Sequence, residues 1–413
     1  MAKKKQSKSA PAPSPPADLP ASPPASEEAP FIVEEEDRYA RFRLISWWRQ
    51  ERLAESKVLV VGVGALGNEV IKNLALLGVG DVWIIDFDQI EDTNLTRSVL
   101  FRASDAGSYK VDAAKRMVNA INPDVKVHPI CGDIIMDVGL GLFAEMDVVM
   151  GCLDNREARL WVNRCCWKVG TPWVDAGIQE ISGVVKVFVP PDSACYECGM
   201  SEMDYKLINL KYSCPLLKRE DILQGKVPTA PTISSIMAGI ETQEALKILH
   251  KMAIRPGVAM VFSGETNNFY TTTYQRKPDC LSHDAYPEVV GLGLSARTTT
   301  VEQLFDKVAE AVGTENVTLH LDRDLLVSLN CPACDIRRDV LAPLMRVTLD
   351  EGKCSGCGQV CQTDIVYDIR PEERFRKRTL HELGVPDFDI VKVSGSTGVG
   401  FFRLDGDRER AMA

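Results

Sequence analysis

From residue 57 the apolar positions fall into short runs separated by stretches of helical spacing. A run over 58–61 ends at Gly62, Val70, Leu74 and Leu77 recur along one helical face, and a second run follows over 82–85. A strand, a glycine turn, a helix and a second strand are predicted, which is one βαβ unit. The pattern continues with a helix over 110–121 stopped by Asn122 and Pro123, a strand near Val125, and an apolar strand over 147–150 ending at Gly151. A further strand is expected over 184–189. A long helix is expected over 233–250, with Ile236, Ile240, Ala245, Leu246 and Leu249 as its apolar side. Alternation of this kind builds an α/β layer of Rossmann-like type, a mostly parallel sheet with helices on both faces.

The pattern changes after about Tyr286. Thr300 and Gln303 form a capping box ahead of Val301, Leu304, Phe305, Val308 and Val312, which marks an amphipathic helix of its own. A short strand over 317–321, a cysteine-rich insert and a final segment over 379–404 follow, so a small α+β domain is expected over 287–413 behind a larger one over 31–286. Residues 1–30 begin with Lys3, Lys4 and Lys5 and continue as a Pro, Ala and Ser mixture, read as a disordered, solubilising tail.

Composition narrows the function. The 413 residues are 45% hydrophobic and carry a net charge of −10, which disfavours a phosphate backbone or an anionic membrane as main partner. No apolar run reaches the roughly 18 residues of a membrane span. Six of the 13 cysteines fall in C-x-x-C pairs, and the N-terminus lacks a secretory apolar core, so a reduced, cytoplasmic protein is expected.

Gly62, Gly64 and Gly67, with Ala65 between them, form G-x-G-x-x-G between strand and helix, where backbone groups approach phosphates. Asp86, at the end of the next strand, stands where a ribose hydroxyl is usually held. Alone, the motif points only to a nucleotide, with NAD as the default. Asp88, Asn94 and Arg97 follow, then Lys110 at a helix start and Asp154 beyond a later strand. A triphosphate with magnesium calls for such a set, with cations for the phosphates and a carboxylate for the metal.

At this point the chain resembles the ubiquitin-activating enzymes and their bacterial relatives, the adenylyltransferases that activate sulfur carriers for molybdopterin and thiazole synthesis. The resemblance covers about residues 38–283. It runs through Arg38-Tyr-Ala-Arg41, VGVGALG, IIDFDQIEDTNLTRS, Lys110, GCLDN at 151–155 and the Cys195 and Cys198 pair. It implies ATP as cofactor, with Asp86 on the ribose, Asn94, Arg97 and Lys110 on the phosphates, and Asp154 on magnesium. It also implies that Arg41 reaches the nucleotide of the other subunit of a homodimer. Ser98 departs from the pattern, since relatives often carry Gln there.

Cys195-Tyr-Glu-Cys198 and Cys280-Leu-Ser-His283 have spacings that let each pair meet one tetrahedral zinc. The family usually has four cysteines here, so His283 as the fourth ligand is a departure. Cys331-Pro-Ala-Cys334 and Cys354-Ser-Gly-Cys357, nineteen residues apart, form a zinc-ribbon pattern within an insert over 330–361. Two structural zinc sites per chain are therefore expected. Cys361 is left over and read as a small buried thiol, with a ligand role as the alternative. Cys131, Cys152, Cys165 and Cys166 are read as core.

The resemblance puts the family's thioester cysteine near Cys214, sixteen residues past Cys198 and ahead of Gly225, Pro228 and Pro231, a stretch that reads as a mobile crossover loop. Lys211 and Lys218 nearby favour its thiolate, the reactive form. The segment from Thr379 resembles the end of the ubiquitin-fold domain with which eukaryotic activating enzymes recruit conjugating enzymes, although the ribbon insert departs from that pattern. The expected function is adenylation of the C-terminal carboxylate of a ubiquitin-like protein, thioester formation on Cys214, and transfer to a conjugating enzyme. The alternatives are activation of a sulfur carrier, a NAD-dependent oxidoreductase, and a non-catalytic zinc scaffold.

Overall fold

A computed structural model describes residues 37–209, 228–313 and 316–413. The chain divides into two compact units, one ending at Trp47 and one running from Trp48 to Ala413. In the first, the backbone turns through a 3₁₀ segment at Phe42–Leu44, Arg43 pairs with Asp37, and the rings of Tyr39 and Phe42 stack with centroids 6.4 Å apart. Arg41 is exposed there.

The second unit opens with helix α1 (Gln50–Glu55), strand β1 (Lys57–Val61), α2 (Ala65–Leu77) and β2 (Asp81–Ile85). Next come α3 (Lys110–Ile121), β3 (Lys126–Ile130), α4 (Leu140–Glu145), β4 (Val148–Gly151), α5 (Arg156–Val169), β5 (Trp173–Gln179) and β6 (Ser182–Phe188). Helices α6 (Glu202–Asn209) and α7 (Pro231–Leu249) and strands β7 (Val258–Ser263) and β8 (Asn268–Thr273) complete an eight-stranded layer of order β3-β2-β1-β4-β5-β6-β7-β8. The four pairings from β3 to β5 are parallel, and the three from β5 to β8 are antiparallel. The sheet is thus parallel-rich with an antiparallel wing. The βαβ frame matches the hydrophobic pattern, whereas the hairpin of β7 and β8 had no counterpart in it. β8 is exposed along its whole length, so it has no apolar face to betray it.

Helix α7 lies where a long helix was expected, with Ala245, Leu246 and Leu249 buried, but two of its named apolar residues depart. Ile236 is 40% exposed and Ile240 only partly buried. The buried side instead runs through Ile233, Met237, Glu241, Ala245 and Leu249, with Ser234, Ala238 and Thr242 beside it. The helix is wedged between α2 and strands β4, β5 and β6, so position between layers decides its burial, not its apolar periodicity. Pro231, read as part of a loop, is its first residue, where a missing N–H costs nothing.

Beyond residue 286 lie β9 (Val289–Gly291), α8 (Val301–Val312), β10 (Thr318–Cys331), β11 (Ile336–Pro343), β12 (Gln362–Ile369), β13 (Ile390–Gly395), β14 (Gly398–Arg403) and α9 (Arg408–Met412). Thr300 caps α8 as expected, accepting the Gln303 N–H. The strand expected over 317–321 is far longer. β10 runs on to Cys331 and pairs with β11, β12 and β13. Val301, Leu304, Phe305 and Val308 of α8 pack with Leu319, Val391, Phe402 and Leu404 in a core of their own.

This second sheet docks firmly on the first layer. Phe388 fills the space beside Gly139 and Gly141, the buried Asp389 accepts the N–H of Leu140, and Lys168 lies 2.7 Å from Asp322. Arg408 and Lys57 both reach Glu145. Among the described residues no helix is long and apolar enough to cross a membrane.

Candidate functional site

The parallel strands β1, β2 and β4 end together, and their C-terminal loops build the site. Gly62 leaves β1 at φ +97, and a Cβ on it would meet the carbonyl oxygen of Cys152 at 2.5 Å, so only glycine fits between these strand ends. Gly64 caps α2, and a side chain there would meet nothing within 4 Å. The space beside it is open. Ala65 begins the helix.

Asp86 braces this turn. Its Oδ2 accepts the N–H of Val63 at 2.8 Å and its Oδ1 that of Asp88 at 2.8 Å. Burial pushes its carboxyl pKa up, against the pull of the Lys110 charge and the two N–H donors. Asp88 and Lys110, expected to serve a nucleotide separately, are brought onto each other, with Nζ 2.6 Å from Oδ2. The Lys110 backbone N–H also bonds to the Asp88 carbonyl. Asn94 and Arg97 sit in the same strand-end loop but are engaged locally. Asn94 Oδ1 accepts the Glu91 N–H, and Arg97 Nη1 donates to Thr93 O at 2.7 Å.

Asp154 follows β4 at the start of α5 and is exposed, touched by the Asn155 amide at 3.3 Å. No cation among the described residues lies within ion-pair distance of it, although Arg159 behind it senses its charge. A free carboxylate oxygen beside this glycine turn suits a hard cation such as magnesium. Arg41 belongs to the other unit. Cys214, with Lys211, Lys218 and Gly225, lies outside the described residues.

Three polar residues here escaped the sequence reading. Asn68 is fully buried, donates to the carbonyls of Val63 and Gly64, and accepts the N–H of Leu100. It thereby ties the glycine turn to the loop that carries Asn94 and Arg97. Arg159 and Asp175 form a buried ion pair behind Asp154. An amide directly after Gly67 was the signal available for Asn68. For the ion pair there was none, because its partners lie on different elements.

Two cysteine clusters form. Cys195, Cys198, Cys280 and His283 converge, with Cys195 Sγ 3.7 Å from Cys198 Sγ and 3.5 Å from Cys280 Sγ, and Cys198 Sγ 3.4 Å from His283 Nε2. A tetrahedron with zinc–sulfur bonds of about 2.3 Å has edges near ~3.8 Å, so the donors fit one zinc. Burial raises the Cys198 thiol pKa, yet hydrogen bonds with Cys195, Lys277 and Cys280 outweigh it and the net shift is downward. Asn163 on α5 holds both halves, accepting the Tyr196 N–H and donating to Ser282. Cys331, Cys334, Cys354 and Cys357 form the second cluster, with Cys331 and Cys357 Sγ 3.6 Å apart. Backbone N–H groups of Cys357 and Gly356 pull the Cys354 thiol down to about 6, favouring the thiolate a metal needs. Cys361 is half-buried beside this cluster. Cys152, Cys165 and Cys166 are buried as expected, but Cys131, expected in the core, is exposed. It stands one residue past β3, where strand alternation no longer applies.

Residues 36–282 match the ThiF family profile. The chain belongs to the ThiF family. It is similar to ubiquitin-like modifier-activating enzyme 5 of Oryza sativa subsp. japonica, 27% identical over 295 residues that cover 68% of each chain. The protein of that name from Rattus norvegicus is 31% identical over 247 residues, covering 56% of this chain and 58% of its own. That from Drosophila ananassae is 33% identical over 213 residues, covering 48% and 52%. The chain thus spans between about half and two thirds of these relatives' lengths. Among solved ThiF-like structures, E. coli MccB with ATP superimposes with a TM-score of 0.51 at 26% identity, covering 61% of this chain and 75% of MccB. E. coli MccB with MccA-N7isoASN gives a TM-score of 0.50 at the same identity, covering 60% and 75%.

Proposed function

We propose that this ThiF-family protein adenylates the C-terminal carboxylate of a ubiquitin-like protein and then captures it as a thioester on Cys214. The observation that carries the reading is the meeting, at the ends of β1, β2 and β4, of an open glycine turn, a braced Asp86, the Lys110 ammonium and the free carboxylate of Asp154. Asp86 holds the ribose, and Gly62, Gly64, Ala65 and Gly67 let the backbone approach the phosphates. A carboxylate oxygen attacks the α-phosphorus of ATP and pyrophosphate leaves. Two anions meet in that step, so Lys110, Asn94, Arg97 and, from the second subunit of a homodimer, Arg41 stabilise the gathering negative charge. Asp154 holds magnesium, which supplies further charge neutralisation at the phosphates. The Cys214 thiolate then attacks the acyl carbon, expelling AMP, and a thiol of a conjugating enzyme recruited by the C-terminal domain repeats the exchange.

The names of the relatives support a ubiquitin-like substrate, and the MccB complex with ATP supports the nucleotide. The two cysteine clusters hold zinc as structural ties, one under α5 and one as a ribbon at the end of β10.

ATP–pyrophosphate exchange with Asp154→Ala tests the first step. Loss of exchange in a folded protein is expected, and normal exchange removes Asp154 from the mechanism. Non-reducing gels with a candidate partner and ATP test the second. A thiol-sensitive band absent in Cys214→Ala is expected, whereas adenylation without such a band points to sulfur-carrier activation.

A further inference from the structure

The steps above leave one buried group of charges unused. Asp175 on β5 is 1% exposed and lies between two cations, with Arg159 Nε 2.9 Å from its Oδ1 and Lys186 Nζ 3.8 Å from its Oδ2. The same guanidinium donates through Nη2 to two backbone carbonyls, Leu153 O at 2.5 Å and Ala176 O at 2.8 Å. Leu153 directly precedes Asp154. On the other side, Asn155 caps α5 by accepting the Ala158 N–H at 2.8 Å. The loop that bears Asp154 is therefore pinned on both flanks.

A buried ion pair of this kind adds little stability over an apolar replacement. Its planar fork does fix geometry, because it addresses acceptors on the β4–α5 loop and on β5 at once, which a lysine ammonium does not match. Magnesium is demanding about the direction of its oxygen ligands. We infer that Arg159, braced by Asp175, is the positioning residue that orients the Asp154 carboxylate toward a magnesium–nucleotide complex. This rests on the role given to Asp154 above.

The test uses the full chain, with Mn²⁺ as a spectroscopic substitute for magnesium. Mn²⁺ affinity is measured by electron paramagnetic resonance with a non-hydrolysable ATP analogue present. Affinity for the same analogue is measured by calorimetry in excess chelator. Arg159→Lys and Asp175→Asn are expected to weaken Mn²⁺ binding about tenfold or more, while metal-free nucleotide affinity stays at the wild-type value. The inference is overturned if Mn²⁺ affinity is unchanged in both variants, or if it falls in parallel with metal-free affinity, which marks general loss of the fold. Should Arg159→Lys fail to fold, the isosteric Asp175→Asn decides alone. Asp154→Ala separates the two claims. If it keeps wild-type Mn²⁺ affinity the assigned role of Asp154 fails, whereas loss there with intact Arg159→Lys and Asp175→Asn sinks only the positioning role.

Discussion

A Cβ on Gly67 would lie 2.0 Å from the carbonyl oxygen of Gly62. Helix α2 thus rests directly on the turn that feeds it, backbone against backbone, and no flexible side chain is there to give way. The two glycines do different work from Gly64 between them, whose missing side chain faces open space.

Gly67→Ala is therefore expected to destabilise the protein by about 1–3 kcal/mol or more, since α2 or the turn must shift. Gly64→Ala is expected to leave the melting temperature nearly unchanged yet weaken ATP at least about tenfold, because a methyl group enters the space offered to phosphates. Thermal melts beside ATP calorimetry check the contrast. An equal loss of stability in both variants contradicts it.

Lys110→Ala removes the cation nearest the braced Asp86 and should lower kcat/KM for pyrophosphate exchange by about 10²- to 10³-fold. Asp88→Asn should cost far less, since it takes away the partner that holds the ammonium and leaves the ammonium itself. Steady-state exchange kinetics measure both. A larger defect in Asp88→Asn would make the ion pair, not the free cation, the working unit.

Metal analysis of the purified protein should give two zinc ions per chain. Cys331→Ser should reduce this to one and leave exchange intact. Cys195→Ser should also lose one, and should destabilise the first layer by several kcal/mol, because Asn163 ties that cluster to α5. Mass spectrometry under native conditions, with thermal melts, reads out both.

Glu241 is fully buried on α7, with its carboxyl near the Cys152 thiol, and burial pushes its pKa well above the ordinary 4.5. An acid whose folded pKa is raised stays protonated in the fold while ionising in the unfolded chain. Stability therefore falls as pH rises from about 4.5 toward the folded pKa. Glu241→Gln stays neutral at every pH, so its gain over wild type should be absent near pH 4 and grow toward pH 7.5. Melting temperatures across that range test it. A constant difference at all pH values would mean that Glu241 is not protonated in the fold.

Much of this molecule could be read from local pattern. The βαβ run from Lys57 to Ile85, the helix over Lys110–Ile121, the capping box of α8 and the glycine turn each depend on residues a few positions apart. There, periodicity and turn chemistry report the structure directly. Exposed β8 and the buried side of α7 at Met237 and Glu241 were illegible for the complementary reason, since neither shows one apolar face to one core.

The chain's own order of residues settled which loops meet at the strand ends, because loops that follow parallel strands must gather at one edge of the sheet. Folding in three dimensions settled the rest. It set Arg159 against Asp175, sank Asn68 and Glu241 into the interior, and turned Asp88 toward Lys110. Each of those outcomes is a contact between separate elements, and a burial energy of that kind has no trace in the spacing of neighbours along the chain.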